Sequence, residues 1–156
     1  MTQPMKIAVV GATGRVGHHV AEVLEAQGHD VVPIARSRGI DVVTGEGLAD
    51  ALEGVEVIVD AGSTPSPDQQ EATAYFQTAS RNLQEAGARA GVQRIVIVSI
   101  IGIDHFTTGY NAAKQAHERE MLAGPLPSGS CARHSSTSSW ASCSTGPRTV
   151  TSRAFR

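Results

Sequence analysis

Cysteine is missing from the first 130 residues of this 156-residue chain; only Cys131 and Cys143 occur, near the end. That excludes a disulfide framework or a thiolate metal site from most of the chain, and a soluble cytoplasmic protein is the simplest expectation. Long apolar runs are missing too. After Lys6 only residues 7–10 are continuously apolar before Gly11 interrupts, and this brevity excludes a secretory-leader pattern. The later stretch at 95–98, continuing to Ile103, is far below the roughly 20 residues that cross a bilayer, so no membrane partner is expected. Acids are missing after Glu120: residues 1–120 carry all 15 acids and a net charge of −6, whereas 121–156 carry four Arg and no acid. Such a split points to a basic tail or to two segments of different origin. His18, His19 and His29 read as surface residues without a metal-ligand constellation, and no bound metal is expected.

What is present suits one globular domain, with 40% hydrophobic residues. Lys6–Val10 reads as a buried strand, and Val16, Val20, Val23 and Leu24 then recur on one helical face up to Gly28. Residues 31–35 are a second strand of the continuous apolar kind found in parallel sheets, and 40–43 a weaker strand candidate. Leu48, Ala51 and Leu52 suggest a short helix before Gly54, and 55–59 a strand that ends at Asp60, Ala61, Gly62 and Ser63. Ser66 as N-cap, Pro67 at the first helical position and Gln69 in a capping box predict a long helix to Ala90, closed by Gly91. A strand over 94–98 reaching Ser99 and a helix over 112–122 follow. This alternation predicts an α/β fold, a Rossmann-type doubly wound parallel sheet, incomplete on its C-terminal side.

Between the first strand and helix stand Gly11, Ala12, Thr13, Gly14, Arg15, Val16 and Gly17. A chain that turns sharply off a strand into a helix there exposes backbone N–H groups, and the helix N-terminus favours the charge of a pyrophosphate. The setting makes this GxxGxxG loop a dinucleotide-binding element, joined at the end of the third strand by Asp60, Ala61 and Gly62. NAD sites place an acid at the end of the second strand; here Arg36 stands there, with Arg38 close behind and Arg15 in the loop. Guanidinium groups hold a 2′-phosphate by charge-assisted hydrogen bonds, so NADP(H) is expected ahead of NAD(H).

The loop, the stretches 81–83 and 90–92, the strand 94–99 with Gly102, Ile103 and Asp104, and the run Tyr110, Asn111, Ala112, Ala113, Lys114 together resemble the atypical short-chain dehydrogenase/reductase superfamily. They are most similar to its NmrA-like, NAD(P)H-binding members, over roughly residues 5–127. The resemblance implies that Tyr110 exchanges a proton with a small carbonyl or alcohol substrate during hydride transfer. It also implies that Lys114 lowers the tyrosine pKa and holds the nicotinamide ribose, while Ser99 steadies the substrate oxygen. Position 76, often Asn in extended members, is Phe here. The alternatives within the same resemblance are a non-catalytic dinucleotide sensor and an inactive truncated product.

His105 and His117 flank this candidate site, and no catalytic role is expected of either. From 125 to 156 the chain is rich in Ser and Arg and lacks periodicity, so an irregular tail separate from the 1–124 domain is expected. Trp140 with four scattered Arg makes a poor nucleic-acid footprint, and no nucleic-acid partner is expected. Residues 130–146, with free choice of synonymous codons and read one frame over, can be decoded as LRATQFHEFVGQLLDW or, with other codon choices, LRAPLIHEFVGQLLDW, which has the apolar periodicity that the tail lacks. The chain from about Ser128 is therefore expected to be out of frame, through a slip near codon 127.

Overall fold

The computed structural model of the protein describes residues 3–100, 102–133 and 140–145. Five strands are parallel: β1 Lys6–Val10, β2 Asp30–Ile34, β3 Val57–Asp60, β4 Arg94–Ile100 and β5 Ser128–Arg133. β6 Trp140–Thr145 adds antiparallel to β5, and the order across the sheet is β2-β1-β3-β4-β5-β6. The helices are α1 Arg15–Ala26, α2 Leu48–Ala51, α3 Gln69–Ala90 and α4 Gly109–Ala123. The β1-to-β2 and β3-to-β4 crossovers run in opposite directions along the sheet, so right-handed connections place α1 on one face and α3 on the other. On the α3 face Leu48, Leu52, Leu83 and Met121 close over Ile58, Ile95 and Ile97 of the sheet, all nearly inaccessible to water. The α/β, doubly wound expectation holds.

Register decides what reaches the site. Val10 lies opposite both Ile34 and Asp60, and Asp60 opposite Ile97, so β1 to β3 end together on one edge and β4 runs on beyond them to Ile100. In an open α/β sheet this carboxyl edge is where ligands bind.

Several local expectations change. Residues 40–43 form no strand: the Asp41 carboxylate accepts the N–H groups of Val43 and Thr44 and folds the chain into a turn, while Val42 still packs into the core. Asp68, not Ser66, caps α3 by accepting the Glu71 N–H at 2.9 Å; Ser66 instead donates its hydroxyl to the Glu71 carboxylate. An Asp directly ahead of the first turn is a strong N-cap and needs no help from Pro67. Composition predicts an irregular tail from 125, yet Ser128–Arg133 and Trp140–Thr145 are strands. The outer edge of β4 presents a row of backbone donors and acceptors, and a backbone ladder forms on it without large side chains. Residues 134–139 and 146–156 of that tail lie outside the described residues. No helix among the described residues is long and apolar enough to cross a membrane.

Candidate functional site

The glycine loop is held by close backbone approach. Gly11 has φ +73°, and its N–H donates to Ile34 at 3.0 Å while its carbonyl accepts from Gly14 at 3.0 Å. A side chain at Gly17 would put its Cβ 2.0 Å from the Gly11 carbonyl, and one at Gly11 would meet the Ala61 carbonyl at 2.8 Å. Both glycines are required so that the loop can lie flat against β3. Gly14 then enters α1, whose first-turn N–H groups have no intrahelical acceptor and face the open edge of the sheet.

Two cavities meet at this loop and share Gly14, Ala61, Gly62 and Ser63 as a common wall. One, of about 350 Å³, runs toward the end of β2 and is lined by Gly11, Thr13, Arg36, Asp41 and Tyr75. The other, of about 430 Å³, is lined by Arg15, Val16, Ser99, Tyr110 and Lys114. Together they make a trough across the carboxyl edge, with the glycine loop at its middle. Arg38 is exposed and lines neither cavity, whereas Ala12 and Gly17 are buried beneath the loop. Sequence reasoning missed Tyr75, which reads only as one apolar position of a helix, and Asp41, which lies in the strand that did not form.

The Ser99 hydroxyl is buried at the end of β4 and finds no hydrogen-bond partner among the described residues, although it lines the larger of these two cavities. A buried hydroxyl left bare is costly, so an oxygen or nitrogen arriving in the cavity gains from it. Burial, and then the charge of Asp60, push the Tyr110 phenol above the ordinary tyrosine range. This direction differs from the lowering that the resemblance implies for Lys114 and suits a proton donor. Tyr75 is pushed up to about 12, first by burial and then by Asp60.

Behind this wall lies a second layer that sequence reasoning did not foresee. His117 adjoins the site as expected, but from beneath it and buried. It is 1% exposed, its Nε2 is 2.8 Å from Asp60 Oδ2, and its Nδ1 is 2.9 Å from Lys114 Nζ. Phe76 stacks on the imidazole with 4.7 Å between centroids, and Lys114 Nζ sits 4.7 Å from the same ring centre. Asp60 Oδ1 accepts the Gly62 N–H at 2.9 Å, so the carboxylate braces the loop that walls both cavities. Its own carboxyl stays low: burial raises it, but His117, Lys114 and the Gly62 N–H outweigh that. Lys114 is lowered to about 8, by burial first and against the raising pull of Asp60 and Glu118. The signal for His117 was its spacing: position 117 is one helical turn after Lys114, on the same face of α4.

Residues 11–126 match the model of the NAD(P)H-binding family. The chain is 32% identical over 127 residues to the L-arabinose 1-dehydrogenase (NAD(P)(+)) of Haloferax volcanii, covering 76% of this chain and 48% of that enzyme. It is similar in fold to a short-chain dehydrogenase/reductase superfamily protein from Agrobacterium tumefaciens with bound NAD, with a TM-score of 0.64 and 24% identity over 80% of this chain and 48% of that one. The Bordetella bronchiseptica enzyme WbmG in complex with NAD is similar too, with a TM-score of 0.66 and 20% identity over 82% of this chain and 52% of that one. The chain thus spans about half the length of these relatives.

Proposed function

The chain belongs to the NAD(P)H-binding family, and from that premise we propose that it serves an NADP(H)-dependent oxidoreductase of the short-chain dehydrogenase/reductase type acting on a small carbonyl or alcohol. The observation that carries the reading is the meeting of Ser99, Tyr110 and Lys114 on one cavity that shares its wall with the glycine loop. The residues fit a dinucleotide: the Gly11–Gly17 contact leaves room for a pyrophosphate at the start of α1, and the bare Ser99 hydroxyl awaits a polar atom.

When bound, the dinucleotide supplies or accepts the hydride. Tyr110, with its phenol held protonated, donates a proton to the carbonyl oxygen in the reductive direction and recovers one afterwards. Ser99 donates a hydrogen bond to that same oxygen and fixes its direction. Lys114 carries the positive charge that stabilises the phenolate left behind on Tyr110, and it offers ammonium protons to a ribose hydroxyl. Arg36, at the far end of the trough, selects the 2′-phosphate.

NADPH consumption with a panel of quinones, aldehydes and ketones tests this reading. Turnover on one of them is expected, and Tyr110→Phe should abolish it, at least 100-fold, while NADPH binding stays nearly intact. Tight NADPH binding without turnover on any of the panel leaves a dinucleotide sensor in place of an enzyme.

A further inference from the structure

We propose that Asp60 and His117 are positioning residues that hold Lys114 as an aimed ammonium group, with His117 locked as the neutral tautomer protonated at Nε2. The proposal rests on the reading of Lys114 as a cofactor-site residue, but its chemistry can be read without cofactor.

The donors and acceptors admit few arrangements. An ammonium carries three N–H donors and no acceptor, so the His117 Nδ1 facing Lys114 at 2.9 Å must be a bare lone pair. The one ring proton is then on Nε2, where the Asp60 carboxylate accepts it at 2.8 Å. A doubly protonated imidazole would turn N–H against N–H in a site where all three side chains are less than 5% exposed. The Phe76 ring completes the clamp: its face lies against the imidazole and under the ammonium, and it offers no competing hydrogen-bond acceptor. With one ammonium proton fixed on His117, the remaining two are directed away from it, and Lys114 lines the larger cavity.

Among the described residues, the charged groups acting on this pair are Asp60 from β3 and Glu118 on α4 itself, and Tyr110 of α4 lines the same cavity as Lys114. α3 contributes the Phe76 ring with Tyr75 packed on its edge, and β4 contributes the uncharged Ser99. Burial first, then the Lys114 charge, lower the His117 pKa, which agrees with a neutral ring. Asp60 is therefore the buried negative charge on which the ammonium depends, and His117 carries its direction to the lysine. Sequence spacing aligns Lys114 and His117 on α4, but their partner comes from a strand end 57 residues away along the chain.

The test is a long-range proton–nitrogen NMR spectrum of the His117 imidazole in the cofactor-free chain from pH 5.5 to 8. The expected result is a neutral ring protonated at Nε2 throughout. A ring that titrates near the ordinary histidine value, or one protonated at Nδ1, overturns the proposal whether or not NADPH binds. The second arm follows NADPH affinity against pH. In the parent chain it should fall as pH rises through about 8, where Lys114 loses its proton. Asp60→Asn should move that fall to lower pH by about one unit, because the carboxylate no longer holds the ammonium charged. His117→Gln, which keeps an acceptor for Lys114, should retain affinity that His117→Leu loses about tenfold or more. An unmoved pH profile in Asp60→Asn, or equal affinity in the Gln and Leu variants, also overturns it. Failure of the parent chain to bind NADPH counts against the functional reading alone, since the NMR result still decides the tautomer.

Discussion

Arg36 and Asp41 line the same end of the trough with opposite charges, and the choice of cofactor lies between them. The Asp41 carboxylate is engaged by the N–H groups of Val43 and Thr44, whereas Arg36 is exposed. That asymmetry supports the 2′-phosphate as ligand. Arg36→Ala should weaken NADPH binding about 10–100-fold, equivalent to ~1.5–3 kcal/mol, and leave NADH binding almost unchanged. Calorimetry checks this directly, and equal affinity of the parent chain for both cofactors would point instead to the ribose-holding acid of an NAD site. Lys114 raises a different question, because burying a cation opposes folding. Its folded pKa of about 8 is below the value of 10.5 it has when exposed, so the unfolded chain binds more protons between those limits. Stability then contains a lysine penalty that is full below pH 8 and is relieved as pH rises from 8 toward 10.5. Lys114→Met should remove the gain in stability over that alkaline window, whatever it costs at pH 7 by leaving Asp60 and the His117 Nδ1 without their cationic partner. Urea melts at pH 7 and pH 10 measure it: the parent chain should gain stability between them from this lysine and the Met variant should not, and an equal gain in both would show that Lys114 is not the titrating group.

Among the elements, α3 and α4 form one unit whose far end is tied to the sheet by a single buried amide. Gln84 of α3 donates through Nε2 to the Met121 carbonyl at 2.7 Å and to the Ser128 hydroxyl at 3.0 Å, and its Oε1 accepts the Leu126 N–H at 2.8 Å. One side chain thus joins the end of α4, the connecting segment and the first residue of β5. Gln84→Leu keeps the volume but leaves the Leu126 N–H without this partner, and should cost about 1–3 kcal/mol. Chemical denaturation gives the loss. NADPH affinity should stay constant, because Ser128 pairs with Ile95 at the end of the sheet opposite the glycine loop. A change in affinity as large as the change in stability would show that the two ends of the α3–α4 unit are coupled.

For the molecule as a whole, the question is how well its last strands complete it. β5 and β6 extend the sheet through backbone pairing, and their sequences, SGSCAR and WASCST, have few aliphatic side chains to bury. With suitable synonymous codons, a frame-shifted reading of residues 130–146 can carry the apolar periodicity that a packed strand and helix require. Restoring that frame near codon 127 should therefore raise the melting temperature and reduce aggregation, because the strand beside β4 would then carry apolar side chains to bury as well as a backbone ladder. Sequencing the locus in independent isolates and melting the restored chain check this. An uninterrupted original frame in every isolate, with no thermal gain on restoration, removes the proposal.

Local rules written in the chain were enough for the alternation of elements and the glycine loop, because apolar period, caps and turn residues act over a few positions. That Arg36, Ser99, Tyr110 and Lys114 would stand along the trough was legible for the same reason: each lies at a strand end or on one helical turn, where chain position already implies spatial position. The strand at 40–43 failed because the competing interaction, an Asp41 side chain bonding its own backbone, is as local as the strand signal and defeated it. His117 failed for the opposite reason. Its meaning comes from Asp60 on β3 and Phe76 on α3, and nothing in the residues around position 117 encodes those neighbours. Only the packing of α3 and α4 over the end of β3 puts a carboxylate, an imidazole and an ammonium in line, and excludes the water that would otherwise separate them.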